Sequence, residues 1–548
     1  MLRRVLPLLA LFGLALAAPA AAEDEPRDFK ADKAAYQAWM ERPSLYMRHK
    51  GRIEFAQTHD VRALRVLAKS YGRPEAPKDQ VQYLLASICG DNFRAPPHLE
   101  VWRTWRKKHA KPRDAWLWYR ALEADLHIDG SPETVSVVRK HSTGALRAAA
   151  LEVLIASEDP AALTLSAELL AALPTKGFDR MLLLESAAQA LYVLRAQRGS
   201  DAWKKTLELL KVQLDAKPTL ERTRAVIARR LGRIEGAMKP VELGRYAPPT
   251  KPTFLGLEAS GSRVVYVIDM SDSMLTPLTK AEIEDLKKPP RFLPPPPKPG
   301  RVVTGGNLKK KPQAPKPTPA QKEMADAIAR LPWPLIITRF DAAREFVKLS
   351  LRALTPRQSF CVIGFGSEAK LLAATPGLKP AIEKHVEKAC VELDVIEAGK
   401  ETRARPYGTL WGYTNLHGGL HRAFKVRSKG LVKQHEYVDP ATFTEGCDTI
   451  FLLSDGKPTW DDWPAWDRRL AKHKSGDPES GAEVQDHEKG HYYGPYALAS
   501  WLRDDVRRLN LFRKAEVHCV GIGEHDPHLL RFISGQGLGR FRRIPARK

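Results

Sequence analysis

Four continuous apolar runs in the C-terminal half constrain this chain more than any other feature. They cover positions 263–269, 359–365, 448–455 and 516–522. Runs without polar alternation are typical of strands that are buried on both faces. Helical patterns lie between them, at 341–354 and 495–510. We therefore predict an α/β fold in which a doubly wound, mostly parallel sheet forms the C-terminal domain.

The N-terminal half has a different pattern. From about position 32 to position 240, apolar residues recur at spacings of three and four, which predicts an all-α domain. Breaks at 157–160 and 173–177 separate the helices. Helix pairs at intervals of about 40 residues resemble, loosely, stacked HEAT-type repeats, and an irregular helical bundle is the alternative. In either form this domain would serve as a scaffold or as a partner surface.

The first residues are typical of a secretory signal. Arg3 and Arg4 precede the apolar stretch 5–16, and small residues at 20–22 follow it. We predict a signal peptide over 1–22, cleaved after Ala22, and a periplasmic or secreted protein. An uncleaved anchor is the alternative. No later stretch has the apolar length of a transmembrane helix, so we expect no membrane span after cleavage.

Proline and basic residues set the remaining boundaries. The segment 246–252 breaks the helical pattern, so we predict a linker over 241–260 and a second domain over 261–545. Within that domain, 287–319 contains eleven Pro and nine Lys or Arg, with no acidic residue. We expect an extended insertion there. It accounts for nine of the 24 excess positive charges, so the charge does not require a nucleic-acid face, and polyanion binding by the insertion stays an alternative.

The chain has five cysteines, too few for a disulfide framework at this length. Cys361 and Cys519 lie inside apolar runs and are expected to be small core residues. A bridge between Cys390 and Cys447 is the one pairing that we consider.

Polar side chains follow two of the apolar runs and occupy one loop between them. Asp269, Ser271 and Ser273 come after the first run, Thr414 lies in the loop 412–416, and Asp455 ends the third run. In open α/β sheets, ligands bind at the carboxyl ends of the strands. Two carboxylates and three hydroxyls are hard oxygen donors, which favour Mg²⁺, Ca²⁺ or Mn²⁺. Such an ion would keep an open position for a carboxylate of a partner.

These residues resemble the metal-ion-dependent adhesion site of von Willebrand factor A (vWA) domains: DxSxS, a Gly-x-Thr-Asn-Leu loop and Ser-Asp-Gly. The resemblance covers about 261–541. It implies that Ser271, Ser273 and Thr414 are hydroxyl ligands and that Asp269 and Asp455 hold the ion largely through water.

The resemblance also implies a function, because the family uses this site to bind acidic side chains of partner proteins. We therefore expect an exported, cation-dependent binding protein that is not an enzyme, with a second partner possible on the helical domain. Asp272 stands where many members of the family carry Gly, and we expect it to affect ion preference or partner choice.

Three further patterns compete with this interpretation. The segment 487–491 matches HExxH and leaves a zinc hydrolase as the alternative function, although its surroundings do not read as a helix. The glycines of 534–539 follow a helix and not a strand, which argues against a dinucleotide loop. Finally, Trp460, Trp463 and Trp466 would either pack in the core or form a rim for partner contact.

Overall fold

The computed structural model describes the helical part and the sheet, with gaps. It covers isolated positions between 51 and 67, residues 119, 122–123, 242 and 245–246, and the ranges 28–41, 132–174 apart from 142, 177–239, 251–288, 319–396, 412–432, 440–461 and 499–545. Several predictions lie outside these residues: the signal peptide, most of the basic insertion, the HExxH-like segment, Trp463 and Trp466.

The N-terminal part is helical throughout its described ranges. Its α-helices are α1 (Phe29–Met40), α2 (Pro132–Lys140), α3 (Gly144–Ala156), α4 (Ala161–Ala171), α5 (Phe178–Val193), α6 (Asp201–Asp215) and α7 (Glu221–Leu231). The breaks predicted at 157–160 and 173–177 separate α3 from α4 and α4 from α5. The helix α5 packs against α3, α4 and α7, so its apolar residues form the centre of this core. A HEAT-type repeat stays a prediction.

The C-terminal part is built on one sheet. The strands are β1 (Thr253–Phe254), β2 (Leu257–Glu258), β3 (Arg263–Asp269), β4 (Ser359–Phe365), β5 (Ala369–Leu371), β6 (Lys379–Pro380), β7 (Val426–Arg427), β8 (Gly430–Leu431), β9 (Thr449–Ser454), β10 (Glu516–Ile522) and β11 (Phe541–Ile544). The main sheet has the order β11-β10-β9-β3-β4-β5, with β6 also paired to β4. Strands β11, β10, β9, β3 and β4 are mutually parallel, and β5 and β6 run antiparallel to β4. The predicted mostly parallel sheet is confirmed.

Helices cover both faces of this sheet. They are α8 (Lys280–Lys287), α9 (Pro319–Ala329), α10 (Arg339–Arg352), α11 (Glu383–Val395), α12 (Leu416–Lys425), α13 (Pro440–Glu445), α14 (Ala499–Asn510) and α15 (Pro527–Gln536). Along β3, Tyr266 and Ile268 pack on the side of α10 and α11, whereas Val267 packs on the side of α12 and α14. No helix within the described ranges combines the length and the apolar character needed to cross a bilayer.

The cysteines do not form the bridge that we considered. Cys390 and Cys447 are both buried free thiols. Cys390 lies on α11 in the core on one face of the sheet, and Cys447 lies in the core on the other face. The sheet separates them, so the pairing is wrong. Cys361 and Cys519 are buried core residues, as predicted.

The helical part packs against the amino ends of the strands. Phe443, from α13, belongs to the helical core and makes an edge-to-face contact with Phe178, with ring centroids 5.0 Å apart. Buried ion pairs join the same two parts: Lys514 lies 2.6 Å from Glu152. Glu516, which begins β10, accepts a hydrogen bond from Arg233 at 3.1 Å. The helices therefore lie at the edge opposite the carboxyl ends of the strands.

Candidate metal centre

The two predicted carboxylates lie at the carboxyl ends of neighbouring strands. Asp269 is the last residue of β3, and Asp455 directly follows β9, which pairs with β3 in parallel. The chain leaves β3 for β4 on one side, whereas β9 lies on the other side. This divergence is the topological switch point at which open α/β sheets bind ligands.

The three hydroxyls are positioned by local structure at the same edge. Ser273 lies on a single turn of 3₁₀ helix, Asp272–Leu275, which follows β3. Thr414 precedes Asn415, whose side chain caps α12 by accepting the N–H of Gly418 at 2.7 Å. The backbone N–H of Asn415 also donates to the carbonyl of Gly366, which follows β4, at 2.8 Å.

The five predicted side chains meet in one hydrogen-bonded chain. Ser271 Oγ donates to Asp269 Oδ1 at 2.6 Å and lies 3.0 Å from Ser273 Oγ. Ser273 Oγ donates to Asp455 Oδ1 at 2.6 Å. Thr414 Oγ1 donates to Ser271 Oγ at 3.4 Å. The structure thus brings together all five positions, and their role as metal ligands stays a prediction.

Ser454 also bonds to this set of hydrogen-bonded side chains, and we did not single it out from the sequence. Its hydroxyl donates to Asp269 Oδ2 at 2.6 Å. The two oxygens of Asp269 therefore accept from Ser454 and from Ser271, which fixes the carboxylate. The signal was present, because Ser454 is the first residue of the Ser-Asp-Gly motif.

Arg339 is the second residue that we missed. Its Nη1 donates to Asp455 Oδ2 at 3.0 Å, and its Nε donates to Glu282 Oε1 at 3.2 Å. Arg339 is the first residue of α10, where the helix dipole disfavours a cation. The two carboxylates therefore stabilise its charge there, and the helix does not. Gly523 leaves room for it: a Cβ there would lie 2.2 Å from Arg339 Cζ, and its φ of +63° also suits glycine.

Burial disfavours the ionised form of both carboxylates, and the charge of Asp455 disfavours it further at Asp269. The pKa of Asp269 is raised to about 7, chiefly by burial and next by the charge of Asp455, against the hydrogen bonds from Ser271 and Ser454. Burial also raises the pKa of Asp455, while Ser273 and Arg339 act to lower it. A bound cation would stabilise both ionised forms.

The donor set fits a hard cation. Two carboxylates and three hydroxyls offer oxygen atoms only, as Mg²⁺, Ca²⁺ and Mn²⁺ prefer. Across the part of the chain that the structure describes, no three or more His, Cys, Asp or Glu side chains are grouped so that they could hold a metal ion. A cation at this site would therefore depend on Ser271, Ser273 and Thr414 as well as on the two acids.

Asp272 contacts a neighbouring loop. Its Oδ1 accepts the N–H of Gly412 at 3.2 Å, and its own N–H donates to the carbonyl of Gly412 at 3.3 Å. Gly412 has a φ of +84° and lies two residues before Thr414. Asp272 thus connects the loop that carries Ser271 and Ser273 to the loop that carries Thr414.

We expect replacement of Asp272 by Ala to weaken Mg²⁺ binding by a factor of about two to ten. The change removes one hydrogen bond, whose net value is about 0.5–1.5 kcal/mol, and loosens the loop of Thr414. Calorimetric titration with Mg²⁺ measures the effect. Glu284→Ala, which alters an exposed acid on α8, is the matched control. Unchanged affinity in Asp272→Ala would show that the contact between Asp272 and Gly412 does not support the site.

Trp460, which follows Asp455 by five residues, packs inward. Trp460 is buried and stacks on Tyr413, with ring centroids 4.8 Å apart. The neighbouring Thr459 holds the same loop, because its N–H donates to the carbonyl of Thr414 at 3.1 Å and its Oγ1 accepts the N–H of Thr414 at 2.9 Å. Of the two roles considered for Trp460, the structure favours packing over a contact rim.

No family model and no curated protein matches the chain. Nine chains of solved structures do match. One is described as von Willebrand factor type A from Catenulispora acidiphila. It is 15% identical, with a TM-score of 0.23, and the match covers 53% of this chain and 40% of that one. This chain thus spans less than half the length of that protein. At such low values, the function has to be inferred from the geometry of the site.

Proposed function

We propose that this chain is an exported, divalent-cation-dependent protein-binding protein of the vWA type. The observation that supports the proposal best is the convergence of Asp269, Ser271, Ser273, Thr414 and Asp455 at the switch point of the sheet. Mg²⁺ is the preferred ion, with Ca²⁺ and Mn²⁺ as alternatives. The three hydroxyls are its direct ligands, and the two acids hold it largely through water.

The chemistry of these ligands favours binding over catalysis. Neutral hydroxyls leave most of the charge of the ion uncompensated, and Mg²⁺ keeps exchangeable positions in its coordination shell. A carboxylate from a partner protein can fill such a position. The partner is therefore a protein with an accessible acidic side chain, and we assign no catalytic residue to this chain.

The helical part supports the sheet from the opposite edge in this proposal. Its contacts with Phe443, Lys514 and Glu516 use the amino ends of the strands and leave the carboxyl ends to the partner. Surfaces of the helices away from this contact would be available to a second partner. Export to the periplasm or the medium rests on the signal-like sequence at 1–22.

Calorimetric titration with Mg²⁺ tests the metal site directly. We expect Asp269→Ala to lose at least about tenfold in affinity, or roughly 1.4 kcal/mol, because it removes a carboxylate that also orients Ser271. Ser273→Ala, a smaller change, should weaken binding as well.

The control for this titration is Asp394→Asn, which alters a half-exposed acid on α11 paired with Lys348. It should bind Mg²⁺ like the wild type, and circular dichroism should show that all variants are folded. Equal affinity in the wild type, Asp269→Ala and Ser273→Ala would refute the metal site.

A further inference from the structure

Two chain segments beside the metal site pair with each other. Residues 275–278 and 335–338, which we call the neck, are joined by an antiparallel bridge between Pro277 and Thr338. The N–H of Leu278 also donates to the carbonyl of Ile337 at 2.9 Å. The neck is the point at which the chain leaves for α8 and α9 and returns to α10.

The neck exposes large apolar side chains. Leu275, Leu335 and Ile337 are 42%, 68% and 62% exposed, respectively. They account for three of the nine large hydrophobic residues that are exposed in the described part of the chain. Exposed apolar residues that cluster within a polar surrounding are typical of a protein–protein contact.

The neck is continuous with the site through both of its segments. Ser273 lies two residues before Leu275, and its carbonyl accepts the N–H of Thr276 at 3.1 Å. On the other segment, Arg339 lies two residues after Ile337 and reaches Asp455. Because two residues span at most about 7 Å, a partner whose carboxylate is held at Ser273 would place its next residues over the neck.

Basic side chains lie beside the neck, and two carboxylates next to it are held in hydrogen bonds. Positions 273–281 and 327–340 contain Lys280, Arg330 and Arg339 and no Asp or Glu. Two carboxylates that border these ranges already have partners: Asp341 accepts the N–H groups of Ile337 and Thr338, and Glu282 accepts from Arg339. The apolar side chains would lie beside the captured group.

We propose that the neck is a docking surface for apolar residues that flank the metal-bound acidic residue of the partner. The occupant is an extended segment of another protein in which Asp or Glu is followed by Leu, Ile or Val. This inference rests on the proposed function, because the metal site captures the acid. The neck makes binding favour partners in which apolar residues flank that acid.

Synthetic peptides test this preference. One set carries a central Asp flanked by Leu and Val, a second carries the same Asp flanked by Ser, and a third replaces Asp by Asn. Binding is measured by fluorescence polarisation with Mg²⁺ and with excess EDTA. For the wild type with Mg²⁺, we expect the apolar-flanked Asp peptide to bind on the order of tenfold more tightly than the Ser-flanked one.

The neck variant is Leu335→Ser with Ile337→Ser, and its matched control is Val391→Ser with Val395→Ser, two comparably exposed residues on α11. The neck variant should lose the preference but keep wild-type Mg²⁺ affinity, and the control should keep both. A preference that survives in the neck variant overturns the inference.

Two other outcomes separate this inference from the proposed function. Mg²⁺-dependent binding of all Asp peptides with no apolar preference leaves the proposed function standing and refutes the neck. No Mg²⁺-dependent binding of any Asp peptide refutes both. A wild-type dimer that becomes a monomer in the neck variant assigns the surface to a second copy, which also overturns the inference.

Discussion

Replacing Glu516 by Ala is expected to lower the free energy of unfolding by about 3–5 kcal/mol, the usual cost of removing one member of a buried ion pair. The side chain of Glu516 is 4% exposed. Its two oxygens accept from Arg233 at 3.1 Å and from the N–H and hydroxyl of Ser260 at 2.8 Å. Arg229 lies 3.6 Å away. Without the carboxylate, the buried Arg229 would keep its charge and lose its partner.

The pKa of Glu516 supports this expectation. Burial alone would raise it, but the contacts with His518 and Arg229 outweigh burial, so that the pKa lies well below its ordinary range. The folded state therefore favours the ionised carboxylate. Because Arg229 and Arg233 belong to the helical part or follow it directly, and Glu516 begins β10, the loss would weaken the contact between the two parts of the chain.

Urea unfolding followed by circular dichroism measures the change. The matched control is Glu387→Ala, which breaks a Glu–Arg pair with Arg352 in which both side chains are about half exposed. Exposed pairs contribute at most about 1 kcal/mol, so the control should stay close to the wild type. If Glu516→Ala lost no more stability than Glu387→Ala, the buried contact would not hold the two parts together.

The strands and the metal-site residues could be predicted because their signals are local. A strand buried on both faces has no polar alternation, and β3 and β4 show this within seven residues each. Parallel strands bring their carboxyl ends to one edge, so an acid at the end of β3 and another after β9 had to lie close together.

Arg339 could not be predicted, because nothing near it in the sequence marks its role. Its partners Glu282 and Asp455 are 57 and 116 positions away. The contact between the two parts of the chain has the same origin. Arg229 reads as an ordinary cation in the last turn of a helix, and Glu516 as the polar start of a strand. Only the packing of α7 against the sheet brings them together.

The affinity of the proposed site for Mg²⁺ is expected to fall by about fiftyfold between pH 7 and pH 5, and the fall approaches tenfold for each unit of pH well below 7. A metal-bound carboxylate must be deprotonated, so protons compete with the ion once the pH is below the pKa of the ligand. For Asp269 that pKa is raised to about 7, by burial and by Asp455. An ordinary Asp, with a pKa of about 4, would bind almost equally well throughout this range.

The same pKa shift makes the stability of the metal-free protein depend on pH. Between about pH 4 and about pH 7 the folded state holds a proton on Asp269 that the unfolded chain has lost, so stability from this group falls as the pH rises through that window and is constant above it. At the proposed site, Mg²⁺ would bind the ionised form and oppose this loss. The increase in melting temperature on adding Mg²⁺ should therefore be large at about pH 8 and small at about pH 5.

Calorimetric titrations and melting curves in unit steps from about pH 5 to about pH 8 measure both effects. Asp394→Asn, which leaves Asp269 and Asp455 unchanged, should reproduce the wild-type profile. An affinity for Mg²⁺ that is the same at every pH would contradict proton competition at Asp269, and no measurable affinity at any pH would refute the metal site. In the second case the two acids at the switch point would be satisfied by Ser271, Ser273, Ser454 and Arg339 alone. A site of that kind would hold the loops together but capture no partner through a metal.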